Sequence, residues 1–131
     1  MDASVCGAFF SPLELQHVPS RIWFREARKS DERIVAPVIL LAEVAAALGR
    51  GLGDGELAEY AVGVLLSRRW VELFPVTQAL ATRAAKIAAE QKIRGCDAIY
   101  VALAQQLGME LVTLDGDQLD RGAAVVRTRT P

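Results

Sequence analysis

The chain has 131 residues, 52% of them hydrophobic and 24% charged, with a formal net charge of −1. This length suits a single domain, residues 1–131, whose core needs no disulfide or structural metal, and the composition excludes a disordered or low-complexity chain. The near-neutral balance removes the simple argument for nucleic-acid binding through an overall basic surface, so any phosphate-bearing partner must be attracted locally.

The amino-terminal stretch "MDASVCGAFF" has no basic region before its apolar residues, which argues against a secretory signal and makes the cytoplasm the expected location. Cys6 and Cys96 are isolated, match no metal-ligand spacing and read as buried free thiols. His17, in "ELQHVPS", reads as a surface residue. As the only histidine it leaves no two-histidine acid/base pair.

"RIVAP" (33–37) predicts a short strand, and Pro37 suits the first turn of a helix running to about residue 48, where its missing N–H would be unpaired anyway. The apolar stretch 34–48 is too short for a membrane span of about 20 residues. "GRGLGDG" (49–55) follows a helix rather than a strand, so it reads as an interhelical loop and not as a phosphate cradle. Asp54 is placed to cap a helix over 55–68, and "WVELFPV" (70–76) predicts a second strand.

Thr77 suits the cap of a long helix over 78–92, with Leu80, Ala84, Ile87 and Ala88 on one face. After the break "IRG", "CDAIYVALAQQLG" (96–108) predicts a helix with almost no polar face, ended at Gly108 in the left-handed conformation. "ELVTL" (110–114) and "AAVVRT" (123–128) read as the last two strands. Strands separated by helices of this length imply parallel pairing and an α/β layered fold, whose ligands collect beyond the carboxyl ends of the strands.

Acids stand at the edges of these apolar segments. Glu43 is the only charge between residues 34 and 48 and has no cation one turn away. An unpaired carboxylate in apolar surroundings costs several kcal/mol, so Glu43 reaches solvent, meets an Arg from another segment, or joins other acids around a cation. Asp97 can be a helix cap or a partner of Arg94. Asp115 can hold an Asx-turn, with Asp117 and Asp120 as solvated loop acids. Taken together, Asp2, Glu43, Asp97 and Asp115 lie near strand ends or helix starts. Four such charges gathered closely would repel, and a divalent cation neutralises them, hard oxygen donors favouring Mg²⁺ or Mn²⁺. Nothing matches a nucleophile elbow, a Walker A loop or a zinc-ligand set, which leaves metal-assisted hydrolysis.

"DASV", "VAPVILLAEVAAAL", "RGCDAIYVALAQQLG" and "LVTLDGDQL", in this order along nearly the whole chain, resemble the successive signatures of the PIN-domain family. The ending "VVRTRTP" resembles that of bacterial VapC-type toxins of toxin–antitoxin pairs. The resemblance implies a three-layer α/β/α fold around a central parallel sheet and a Mg²⁺- or Mn²⁺-dependent ribonuclease. The family's four acids fall on Asp2, Glu43, Asp97 and Asp115, a supporting hydroxyl on Thr113, and an auxiliary acid on Asp117. The resemblance further implies a cognate antitoxin over the active site and a homodimer. For such interfaces residues 57–66 with Trp23 and Phe24 are candidates, although core packing explains the same residues. RNA would be held through its backbone by some of Arg25, Arg28, Lys29, Arg50, Arg68, Arg69, Lys92 and Arg94, which solvated helix faces explain equally.

One departure stands out. The family's first acid ends a strand of several apolar residues at the centre of the sheet, whereas only Met1 precedes Asp2 here. A missing central strand would leave its neighbours' backbone groups unpaired, at about 1–3 kcal/mol for each buried group. Either the numbering begins late in the natural protein or the sheet is completed in an unusual way. Two further readings belong to other classes: a non-catalytic PIN-like module that binds RNA or protein, and a DxD phosphohydrolase using "DGDQ". The second expects its nucleophilic Asp after the first strand of the domain.

Overall fold

The computed structural model describes residues 1–67 and 70–131. In chain order it contains helices α1 (Ala3–Phe10) and α2 (His17–Lys29), strand β1 (Val35–Pro37), helices α3 (Leu40–Ala46) and α4 (Gly55–Leu66), and strand β2 (Glu72–Phe74). Helices α5 (Gln78–Gln91) and α6 (Gly95–Leu107), strand β3 (Leu111–Val112), helix α7 (Gly116–Asp120) and strand β4 (Thr128–Arg129) follow.

The strands form two parallel pairs. Val35 lies opposite Glu72 in one, and Leu111 opposite Thr128 in the other. Met1 and Asp2 join them: the Met1 nitrogen donates to the Val35 carbonyl at 2.9 Å and the Asp2 N–H to the Val112 carbonyl at 3.1 Å. The expected gap at the centre of the sheet is therefore bridged, with Asp2 entering α1 from its floor. Parallel pairing with helical crossovers makes this an α/β fold, as the alternation of segments predicts.

The helices fall into two groups. One runs α2–α1–α3–α4 by successive packing, and in the other α5 packs on α6, which in turn contacts β1 and β3. Leu40, Val44 and Leu48 recur every fourth residue and are fully buried, each contributing about 1.5–3 kcal/mol of apolar burial. From α6, Ala98, Val101, Ala102 and Leu103 enter the same core.

Several local expectations hold. The Asp54 carboxylate accepts from the Leu57 N–H at 2.8 Å and the Thr77 hydroxyl from the Leu80 N–H at 3.2 Å, so both cap their helices. Gly108 ends α6 at φ 63°. Others need correction. Pro37 closes β1 instead of opening a helix, because its missing N–H is harmless there and the next N–H, of Val38, donates to Phe74. The helix after it widens into a π-type turn at Ala47–Gly51, so the glycine-rich segment is partly helical. Residues 122–124 form a 3₁₀ turn and the last strand is delayed to Thr128. His17 is half-buried, its Nδ1 2.9 Å from the Ala8 carbonyl oxygen. Cys6 is buried as expected, but Cys96 is exposed in the first turn of α6.

Helices α1, α2 and α7 have no counterpart among the predicted elements; Asp117 and Asp120, expected in a loop, lie in α7. Pro19 in the first turn of α2, followed by the buried series Ser20, Phe24 and Ala27 at helical spacing, is the signal that would have found the second. Phe24 belongs to the core and Trp23 packs against it, whereas Tyr60 and Leu66 of α4 are exposed. No helix among the described residues is long and apolar enough to cross a membrane.

Candidate functional site

Four elements from distant parts of the sequence bring the acids together. Asp2 is the cap of α1, Glu43 lies in the first turn of α3, Asp97 in the first turn of α6, and Asp115 caps α7 just beyond β3. All four line one cavity of about 310 Å³ that also touches Ser4, Arg50, Arg94 and Tyr100. Asp2 and Asp97 are buried, Glu43 and Asp115 half-buried.

Asp2 is held by donors on every side. Its Oδ1 accepts from the Ser4 hydroxyl at 2.7 Å and the Val5 N–H at 3.3 Å, and its Oδ2 from the Gln118 amide at 3.2 Å. Burial pushes its carboxyl upward, and the hydrogen bonds from Ser4, Thr113 and Val5 pull it back. Ser4 is fixed in turn by the Leu114 N–H, which donates to its oxygen at 2.8 Å. The fully buried Thr113 hydroxyl accepts from the Asp115 N–H at 3.0 Å.

Asp97 shares its oxygens between two donors. Oδ1 accepts from the Gln118 amide at 3.2 Å and Oδ2 from Arg94 Nε at 2.6 Å. Arg94 reaches on to Asp115, its Nη2 standing 3.1 Å from Oδ2, so one exposed guanidinium spans two acids. Asp115 Oδ1 accepts from the Gln118 backbone N–H at 2.9 Å. Of the two roles that the sequence leaves to Asp97, the structure shows the pair with Arg94, and Asp115 takes the turn role.

Among the described residues Glu43 pairs with no Arg; it meets a hydroxyl instead. The Tyr100 hydroxyl donates to its Oε2. Burial first, and then Glu43 itself, push the Tyr100 phenol far up, so it stays protonated and remains a donor. Asp117 stands elsewhere: it is exposed, pairs with Arg121 at 3.4 Å, and does not line the cavity. Its divergence from Asp115 removes the convergent acid pair that a DxD site needs.

Residues 1–124 match the family model described as PIN domain. The chain belongs to the PIN-domain family. Among solved structures the PIN domain resembles VapC20 of Mycobacterium tuberculosis, a sarcin–ricin loop cleaving toxin, at 21% identity and a TM-score of 0.77. The match covers 99% of this chain and 97% of that one. No curated protein matches.

In this PIN domain no group of three or more His, Cys, Asp or Glu among the described residues is arranged as it stands to hold a metal ion. The donor chemistry nevertheless fits a hard dication. Four carboxylates converge on one cavity, and cationic Arg94 already lies between two of them. The Gln118 Oε1 is buried beside the same acids and meets no donor among the described residues. Of the basic residues, Arg50 and Arg94 line this cavity, Arg25, Arg28 and Lys29 line another, and Arg68 and Arg69 lie outside the described residues. Sequence reasoning missed Ser4, Tyr100 and Gln118. The one available cue was the polar Gln118 three residues after Asp115, at the spacing a cap requires.

Proposed function

We propose that the chain is a metal-dependent endoribonuclease of the VapC toxin type, hydrolysing RNA phosphodiester bonds with Mg²⁺ or Mn²⁺. The observation that carries this reading is the convergence of Asp2, Glu43, Asp97 and Asp115 on one cavity at the carboxyl ends of β1 and β3. The likeness in fold to a toxin that cleaves the sarcin–ricin loop supports the substrate class.

In this reading the four acids hold one or two ions. Bound there, the cation would supply Lewis acidity, polarising a phosphoryl oxygen and lowering the pKa of an attacking water. The chain's own residues do the rest. Ser4 and Thr113 fix the rotamer of Asp2, Tyr100 holds Glu43 by a hydroxyl that keeps its proton, and no side chain becomes covalently attached to phosphorus. Arg94, which a cation held by the acids would free from Asp97 and Asp115, and Arg50 at the rim line the cavity where they could hold the RNA backbone.

A cognate antitoxin and a second copy of the chain are the partners of this reading, and the cytoplasm its place. Leu13, Leu15, Val18 and Ile22, exposed before and along the first half of α2, and Tyr60 on α4 give a covering protein apolar surface to bury.

Purified protein incubated with labelled RNA tests the proposal. Cleavage with Mn²⁺ that disappears in EDTA and in Asp97→Asn is the expected result. Cleavage that survives both changes overturns it. Slow hydrolysis of small phosphate esters without RNA cutting would favour the phosphohydrolase instead.

A further inference from the structure

Gln118 is 1% exposed and touches three of the four acids. Its backbone N–H donates to Asp115 Oδ1 at 2.9 Å, and its side-chain amide donates to Asp2 Oδ2 and Asp97 Oδ1, each at 3.2 Å. Asp2 and Asp97 lie 95 positions apart in the chain. Among the described residues no other side chain donates to both of them. The remaining amide oxygen, Oε1, is buried and meets no donor among the described residues. The two bonds made by its N–H₂ end, to buried acids far apart in the chain, point to a task for that end.

We propose that Gln118 is the positioning residue of the acidic site. Its neutral N–H₂ group clasps one oxygen each of Asp2 and Asp97, setting the separation and rotamers of the two buried carboxylates so that their other lone pairs face one cation. A neutral donor suits the task. A lysine or arginine in its place would neutralise the acids and compete with the cation, and a carboxylate would repel both. The inference rests on the nuclease reading of the same cavity. Residues that orient metal ligands in this way change metal affinity by about 10–100-fold when removed.

The test is Mn²⁺ binding, followed by electron paramagnetic resonance on protein without RNA, in wild type and in Gln118→Met, which keeps the length and removes the donors. The expected result is wild-type binding that weakens 10–100-fold in the variant while its circular dichroism stays native. Asp54→Ala, a loss of the α4 cap outside the cavity, serves as the control for general loosening and should bind Mn²⁺ as wild type does. Wild-type affinity in Gln118→Met overturns this inference and leaves the nuclease reading standing. Failure of the wild type itself to bind Mn²⁺ overturns both. Should Gln118→Met not fold, the nuclear magnetic resonance signals of the Gln118 side-chain amide in wild-type protein decide: a saturable shift with Mg²⁺ supports the role, and signals unmoved at saturation refute it.

Discussion

Thr113 offers a sharp test of how the acidic site is held. Its side chain is fully buried at the end of β3, where the hydroxyl accepts from the Asp115 N–H at 3.0 Å and its hydrogen bond favours the charged form of Asp2. A hydroxyl has one proton to give and lone pairs to receive, so both demands are met by one group. Thr113→Val keeps the volume and the β-branch but removes both interactions. The part-buried Asp115 N–H left without its acceptor costs about 1–3 kcal/mol and the lost support of charged Asp2 adds to it, so the loss should be near 3 kcal/mol. At about 3–4 °C for each kcal/mol in a domain of this size, Tm falls by about 10 °C. Thr113→Ser keeps the hydroxyl and loses one methyl, about 1 kcal/mol and 3–4 °C. Calorimetry in EDTA, which leaves metal out of the comparison, should rank wild type above Ser and Ser above Val. A valine variant as stable as the serine variant would show that packing, and not the hydroxyl, is what the site requires at this position.

Other expected outcomes follow from the same geometry. Arg94→Gln removes a guanidinium from Asp97 and Asp115. Because both pairs are exposed at the arginine and worth about 0.2–1 kcal/mol each, Mn²⁺ should bind about three- to tenfold tighter by calorimetric titration. Weaker binding would mean that Arg94 supports the acids rather than competing for them. Gly108→Ala places a side chain at φ 63° with open space around it, so the cost is backbone strain alone, about 1–2 kcal/mol, read as a shift in urea midpoint without a change in slope. Burial pushes the Cys6 thiol up to about 12, so at pH 8 it stays protonated and shielded, and a thiol reagent should modify only Cys96 in native protein. Two modified thiols before denaturation would contradict that burial.

The α/β alternation from residue 33 to residue 112 was legible because each strand is a short apolar run and helices carry a cap or a 3.6-residue period, as Asp54, Thr77 and Leu80–Ile87 show. Helix α1 was not, because "ASVCGAFF" is apolar nearly all round and has no polar face to reveal its period. The acids were visible individually, as charges isolated at the borders of apolar segments, and the family resemblance supplied their grouping. Their partners were not visible. Tyr100 lies 57 positions from Glu43 and Gln118 lies 116 from Asp2. A neutral polar residue that completes a buried network carries no charge anomaly for a linear reading to catch. Asp117, by contrast, looks equivalent to Asp115 in "LDGDQ". The first turn of α7 turns it outward to Arg121, while Asp115 is kept at the cavity by capping.

The central claim is that Asp2, Glu43, Asp97 and Asp115 share a cation. Crystals grown with Mn²⁺ test it most directly, through the anomalous scattering of the metal. The account predicts a peak inside the cavity at coordination distance from oxygens of Asp2 and Asp97, with Arg94 withdrawn from Asp97 and Asp115. At saturating Mn²⁺, a cavity without a peak and with Arg94 still bridging the two acids would contradict it.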